Sequence, residues 1–292
     1  MMHYRQYKSI LSPKNNFNIY RGCQHGCIYC DSRSRCYRME HDFEDIEVKT
    51  NAPEMLEAEL RRKRVCCMVG TGSMTDPYIP LEKELRYTRR CLEVIEKYGF
   101  GVTLITKSAL VLRDLDLLKR INGKAKCVVQ MTLTAFDDGL CRIIEPNVAV
   151  TGERAEVLKT LWDSGIPTVV WLSPILPFIN DTEENLRGIL RYCIEAGVYG
   201  ILCFGMGMTL REGDREYYYG KLDEHFPGLK KKYIQKYGNS YQIASDNNGY
   251  LMNIFYSECK KHGILCNVDE IFAYLGKFET KDNNGMEQMS FI

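Results

Sequence analysis

From residue 50 onward, short apolar runs alternate with amphipathic segments, and few folds accommodate that alternation. "VCCMVG" (65–70), "GVTLIT" (101–106), "KCVVQMTLT" (126–134), "PTVVWLSPIL" (167–176) and "YGILCFG" (199–205) read as strands: they are rich in β-branched residues or bounded by Gly and Pro. Between them lie "APEMLEAELRRKR" (52–64), "LEKELRYTRRCLEVIEKYG" (81–99), "VLRDLDLLKRI" (111–121), "GERAEVLKTLWDSG" (152–165) and "TEENLRGILRYCIEAG" (182–197), all with helical spacing. The last of these opens on a capping box from Thr182 through Asn185 and closes on Gly197. With a first strand at "FNIYRG" (17–22), the pattern makes six βα units. Such alternation means a parallel sheet with helices outside it. Six strands are too few to close the eightfold barrel. The expected fold class is therefore α/β, an open or partial (β/α)6 barrel.

Parallel sheets place ligands at the C-terminal ends of their strands. The unusual residues of this chain collect there. Strand 1 runs into "GCQHGCIYC" (22–30), strand 2 into "GTGSMTDPYIP" (70–80) and strand 3 into "TKS" (106–108). Strands 4 and 5 run into "TLTAFDD" (132–138) and "SPILPFIND" (173–181). From about residue 212 the pattern turns helical, aromatic and basic, with no evident strand partner. The expected organisation is a barrel core over 1–211, a helical C-terminal extension over 212–280 packed on it, and a polar tail with an apolar terminus over 281–292.

Composition limits the partners. The net charge of +1 supplies no overall electrostatic reason for nucleic acid or membrane. No apolar run reaches the roughly 18 residues of a membrane span, and "MMHYRQYKSI" has no secretory h-region. Thirteen cysteines in 292 residues are an odd number in a large chain. A disulfide framework is therefore not expected, and a reducing cytoplasm is. Cys91, Cys127, Cys193 and Cys203 stand in apolar surroundings and read as core residues.

Cys23, Cys27 and Cys30 are different. At this cysteine content, chance supplies roughly 0.03 triplets with partners at both +4 and +7. Two metals compete for such a set. A structural zinc wants four closed ligands; Cys36 or His41 would be the fourth, without the usual paired spacing. An iron–sulfur cubane wants one thiolate per iron, so three thiolates leave one iron open to an exogenous ligand.

Cys23, Cys27 and Cys30, with Tyr29 before the last, match the signature of the radical S-adenosylmethionine superfamily. "NIYRGCQHGCIYCDSRS", "GTGSMTDPYIPLE", "TKS", "IEPN" followed by Arg154, and "SPILPFIND" are together similar to its spore photoproduct lyase-like branch, the DNA repair photolyase-related proteins. The resemblance covers about residues 15–280. It implies a radical SAM partial barrel, a 4Fe-4S cluster on the three cysteines, and S-adenosyl-L-methionine chelated at the open iron. Cleavage of that cofactor to a 5′-deoxyadenosyl radical follows, with an electron donor such as flavodoxin or ferredoxin. The resemblance places Tyr29 beside the adenine, Ser73 and Asp76 near the methionyl ammonium, Lys107 at the carboxylate, and Thr132 and Ser173 near the carboxylate and the adenine or ribose. Gly22 and Gly26 let the loop fold around the cluster. A different reading makes Asp76 a cap for the next helix, and Glu145 with Arg154 a structural ion pair. Spore photoproduct lyase proper keeps a cysteine hydrogen-atom donor at the end of strand 2. Ser73 stands at that place here, and Cys66 and Cys67 lie too far upstream to replace it.

The expected function is a cytoplasmic radical SAM enzyme of lyase-like type acting on nucleic acid. Its rivals are radical modification of a peptide, RNA or small molecule, and a non-catalytic zinc-stabilised nucleic-acid-binding module. Two further segments bear on partners. "GLKKKYIQKYGNSY" (228–241) interleaves Lys and Tyr as a single-strand binder would, or is a solvated helix face. Arg33, Arg35 and Arg38 flank the cluster as phosphate ligands or as loop charges. The terminal "QMSFI" resembles the pentapeptide by which bacterial repair proteins dock on the sliding clamp, through Gln288, Met289, Phe291 and Ile292; otherwise these residues fold back onto the barrel.

Overall fold

The computed structural model describes residues 1–281. The clamp-docking reading of Gln288, Met289, Phe291 and Ile292 lies outside the described residues. Four short strands come first: β1 (Met2–Arg5), β2 (Asn16–Phe17), β3 (Tyr20–Arg21) and β4 (Ile46–Lys49). Seven more follow: β5 (Met68–Thr71), β6 (Gly101–Thr106), β7 (Cys127–Thr132), β8 (Thr168–Trp171), β9 (Gly200–Leu202), β10 (Gly207–Thr209) and β11 (Gln242–Ala244). The main sheet has six strands in the order β2-β5-β6-β7-β8-β9, every neighbouring pair parallel. This is the partial barrel the alternation predicts.

Its outer face carries Val102, Leu104, Val129, Met131, Val170 and Ile201. They pack in one core with α1 (Ala52–Arg62), α2 (Glu82–Leu85), α3 (Tyr87–Lys97), α4 (Leu115–Lys124), α6 (Thr151–Asp163) and α7 (Glu183–Glu195), chiefly through Leu92, Ile95, Leu118, Leu158, Leu161 and Ile189, while α5 (Asp138–Ile144) buries Cys141 and Ile144 with the cysteine loop. Each such side chain, fully buried, contributes about 1.5–3 kcal/mol. Further on come α8 (Asp214–His225), α9 (Leu229–Tyr237), α10 (Asn248–His262) and α11 (Val268–Gly276). On the inner face, Ile271 and Leu275 of α11 pack against Val128, Val169 and Leu202. The last described helix therefore fills part of the barrel's interior. Cys91, Cys127, Cys193 and Cys203 are buried, as expected. Among the described residues no helix is long and apolar enough to cross a membrane.

Four details depart from the sequence reading. "FNIYRG" is not one strand. Phe17 pairs with Thr71 in the main sheet, while Tyr20 and Arg21 pair antiparallel with Val48 and Glu47 in a separate sheet of order β1-β4-β3. The cysteine loop thus leaves from the small sheet. The 81–99 helix is broken at Arg86, whose φ of 53° is left-handed. Glu82 is the cause: its carboxylate turns inward and accepts from the backbone N–H of Thr88 at 2.8 Å, capping α3 afresh. The capping box of α7 is half made. Thr182 Oγ1 accepts from Asn185 N–H at 3.2 Å, but the Asn185 amide instead donates to the Thr134 carbonyl at 3.0 Å. Finally, the extension is not purely helical, because β11 pairs antiparallel with β10.

Glu82 is fully buried, which pushes its carboxyl upward; Tyr20, Thr88 and Arg113 counteract that. Arg113 bridges it to the equally buried Asp114, at 3.2 and 2.7 Å. Removing Arg113 leaves the buried Glu82 carboxylate with no cationic partner among the described residues, while Asp114 keeps Arg89 at 3.1 Å. Arg113→Ala is expected to cost about 3–5 kcal/mol. Arg90→Ala, which breaks the exposed pair with Glu54 and a 5.1 Å contact over the Tyr87 ring, is expected to cost under about 1 kcal/mol. Urea unfolding midpoints of the metal-free protein check the contrast; equal losses would place the stabilisation elsewhere.

Candidate functional site

The cysteine loop is shaped by backbone contacts on both sides. Gly22 has φ +84°, and a Cβ there would fall 2.5 Å from the Phe43 carbonyl. That carbonyl accepts from Cys23 N–H at 2.9 Å. Farther along, Ile28 N–H donates to the Ile144 carbonyl, Asn147 N–H to the His25 carbonyl, and the Asn147 amide to the Gln24 carbonyl. The segment joining α5 to α6 therefore holds the loop against the end of β7. Cys23 and Cys27 are buried and Cys30 partly so. Burial pushes all three thiols upward, Cys23 to about 12, and they act on one another electrostatically. The metal-free thiols are thus protonated at neutral pH, and metal loading must release protons.

Lys107, the first residue after β6, faces these thiols. Burial opposes its charge, but Cys27, Glu145 and Asp76 hold its ammonium above the ordinary range. Among the described residues no ion pair or hydrogen bond engages this ammonium. Its backbone is fixed by Asp76: Oδ2 accepts from Lys107 N–H at 2.7 Å, and Oδ1 from Thr106 Oγ1 and Tyr78 N–H, both at 2.8 Å. His25 Nδ1 lies 3.5 Å from the same Oδ2. Burial holds the His25 imidazole below its ordinary range, against the pull of Asp76, so it is neutral at pH 7. Asp76 caps no helix, since α2 opens after Leu81; its carboxylate instead closes a local turn at Tyr78 and sets Lys107. His25 was not singled out in the sequence, though it stands between two of the cysteines.

Glu145 and Arg154 are both fully buried and form an ion pair. Burial pushes the Glu145 carboxyl upward, but Arg154 and Lys107 hold it below the usual carboxylate range. Tyr29 donates its hydroxyl to Glu145, so the aromatic of the cysteine motif is anchored to the pair. Arg154 also donates to the Thr132 carbonyl at 2.6 Å. Thr132 is buried at the end of β7, Ser173 is partly exposed beyond β8, and Ser73 is exposed in the turn after β5. Gly72 locks that turn, since a Cβ there would meet the Ile105 carbonyl at 2.2 Å.

Other candidates are not at the site. Arg33 is sandwiched between the rings of Tyr217, at 3.7 Å, and Phe43, at 4.5 Å, and pairs with Glu44. Arg35 pairs with Glu212 at the surface, and Arg38 is exposed. In the Lys/Tyr run, Tyr233 is buried and donates to the Pro177 carbonyl at 2.6 Å, Tyr237 donates to the Ala244 carbonyl, and Tyr241 is exposed. The extension nevertheless reaches the cysteine loop. Met208, Leu210, Tyr218 and Tyr219 pack on Cys27, Ile28 and Tyr29. Asp214 is fully buried there, both carboxylate oxygens lack a hydrogen-bond partner, and its charge acts on Cys30.

The donor chemistry fits an iron–sulfur cluster. Three thiols and a cation with no ion-pair partner stand together at the strand ends. Among the described residues no group of three or more His, Cys, Asp and Glu is placed to hold a metal ion. A cluster differs from one ion in that its ligands grip separate irons, so thiols that face one another without converging on a point suit it.

Residues 17–211 match the Radical SAM superfamily family model. An uncharacterized protein of Methanocaldococcus jannaschii is 34% identical over 60% of this chain and 65% of its own length. An uncharacterized protein of Mycobacterium tuberculosis is 29% identical over 75% of this chain and 66% of its own length. The chain thus spans just under two thirds of the length of these curated relatives. A radical SAM Nalpha-GlyT isomerase of Pseudomonas phage M6 is 24% identical over 60% of this chain and 35% of that protein. Among solved structures, a spore photoproduct lyase complexed with dinucleoside spore photoproduct superposes with a TM-score of 0.64 at 14% identity, covering 91% of this chain and 81% of the other. That likeness is one of fold.

Burial, with the nearby charge of Asp31, raises the Asp214 carboxyl to about 7, against 3.8 for the free group. Between those values the unfolded chain gives up a proton that the folded protein keeps. The group therefore favours folding least at high pH, and stability falls as pH rises from about 4 to about 7. In the cluster-free protein, Asp214→Asn is expected to raise the melting midpoint at pH 8 by at least about 2 °C, with the gain vanishing near pH 4. A gain independent of pH would refute the assignment.

Proposed function

The chain belongs to the radical SAM superfamily, and on that premise we propose that it is an enzyme holding a 4Fe-4S cluster on Cys23, Cys27 and Cys30, binding S-adenosyl-L-methionine beside it, and acting on nucleic acid. The observation that carries this reading is the placement of three thiols, two buried and one partly so, opposite the unpaired ammonium of Lys107. When bound, the cluster supplies an open iron for the cofactor and, charged by a donor such as flavodoxin or ferredoxin, the electron that cleaves it to a 5′-deoxyadenosyl radical.

The chain's own residues bind, orient and shield. Lys107 offers its ammonium to the cofactor carboxylate, a charge-assisted contact in a buried site. Asp76 is a positioning residue: it holds the Lys107 backbone and Thr106, and its Oδ2 also faces neutral His25. The Glu145–Arg154 pair fixes Tyr29 as a wall for the adenine and holds the Thr132 carbonyl. Ser173 and Ser73 stand at the rim. The extension covers the loop and keeps water from the radical.

Nucleic acid is favoured because the fold is that of spore photoproduct lyase, which in one solved form holds AdoMet and dinucleoside spore photoproduct. Ser73 replaces the expected thiol, and an S–H bond gives up hydrogen far more readily than an O–H bond. The reaction is therefore of lyase-like type with a different hydrogen-atom donor.

The anaerobic protein is expected to carry about four irons per chain with matching sulfide. Cys23→Ala, Cys27→Ala or Cys30→Ala each abolishes this content, and Cys36→Ala retains it. Equal iron loss in Cys36→Ala, or a zinc-only preparation, would overturn the three-ligand cluster. Lys107→Ala, with iron retained, is expected to weaken S-adenosylmethionine binding about ten- to a hundredfold. An unchanged calorimetric titration would remove Lys107 from the cofactor site.

A further inference from the structure

Three aromatic rings meet on the barrel's inner side, two of them exposed and the third, Trp171, partly buried against the core. Trp171 ends β8, Phe204 follows β9 by two residues, and Phe272 stands on α11. Phe204 is 56% exposed and Phe272 44%. Ring centroids lie 5.7 Å apart for Trp171–Phe204, 6.1 Å for Trp171–Phe272 and 6.3 Å for Phe204–Phe272. Contiguous exposed apolar surface of this kind marks an interaction site.

The rings are held rigidly. Trp171 Nε1 donates to Gln130 Oε1 at 2.8 Å, and Gln130 Nε2 donates to Thr103 Oγ1 at 2.7 Å. This polar chain crosses β6, β7 and β8 and sets the indole plane. It also uses the one N–H of the indole, so the rings offer π faces and no hydrogen-bond donor. Beneath them Ile271 and Leu275 anchor α11 to Val128, Val169 and Leu202. Trp171 is in register with Thr132, which places the rings beside the strand end assigned above to the cofactor.

The segment leaving β8 adds positive charge. Phe178, seven residues beyond Trp171, carries Lys232 at 3.8 Å over its ring, while Lys236, at 5.0 Å, is paired with Asp246. Tyr233 ties α9 to this segment at Pro177, and Lys231 is exposed on the same helix. Stacking faces that do not select hydrogen bonds, on the strand whose outgoing segment meets lysines that suit phosphate, match single-stranded nucleic acid.

We infer that Trp171, Phe204 and Phe272 form a stacking platform for an unpaired base of single-stranded nucleic acid, with Lys231 and Lys232 of α9 on the phosphates that follow. The inference rests on the nucleic-acid reading above and names the surface that receives the base.

The chain has two tryptophans, so Trp162→Phe leaves Trp171 as the lone indole reporter. This full-length protein is titrated with an oligothymidylate of about twelve nucleotides and with an abasic oligomer of equal length. Fluorescence anisotropy of the labelled oligomer is read in parallel. Saturable indole quenching by the oligothymidylate, absent with the abasic strand, is expected. Phe204→Leu and Phe272→Leu keep apolar volume and the fold while removing the ring, and each is expected to weaken binding about tenfold. Oligomer binding by anisotropy without indole quenching, or with affinity unchanged in both leucine variants, would overturn the platform and leave the nucleic-acid reading standing. Absence of any binding would overturn both.

Discussion

A buried ion pair joins the parts that chemistry needs. Glu145 and Arg154 are fully buried, and their mutual charge keeps both ionised where burial alone would not. Around them meet the end of β7 through the Thr132 carbonyl, the cysteine loop through the Tyr29 hydroxyl, and α5 through Cys141. Loss of either partner would leave an unpaired charge in a dry interior, at about 3–5 kcal/mol. The pair therefore sets the height of the loop above the sheet, and with it where the three thiols stand.

Asp76 performs the same service one strand over. A single carboxylate accepts from the next turn, from the last residue of β6 and from the backbone of Lys107, while neutral His25 faces it from the cysteine loop. The loop and the lysine are thus referenced to one group, so their relative position does not depend on long flexible side chains. Burial raises the thiols and the neighbouring charges sustain Lys107. Such a site is poorly satisfied on its own, which suits the anionic, metal-bearing occupant proposed for it.

Much of this was legible beforehand because it is local. Helix and strand periods report which face is buried, so the six parallel units and their order followed from the pattern. The cysteine spacing and the residues at the strand ends followed too. What was misread depended on distant partners. No local signal in "FNIYRG" shows that Tyr20 will leave the sheet to pair with Val48. Helical spacing across 81–99 conceals that Glu82 turns inward and restarts the helix at Tyr87. His25 and Asp214 were invisible as site groups: a lone histidine or a helix-starting aspartate gains meaning only from what surrounds it.

The sequence by itself determined the class of the fold, the set of thiols and the family, because each is written in the spacing of neighbouring residues. Tertiary structure alone decided which charges meet. It turned "IEPN" and Arg154 into an anchor for Tyr29. It used Arg33 to fix a loop, packed Tyr233 of the Lys/Tyr run inward, and brought Trp171, Phe204 and Phe272 together from two strand ends and a helix. The physical reason is that electrostatic and aromatic contacts act through space between residues separated by 9 to 184 positions. Chain order carries no record of such proximity until the sheet has placed its strands.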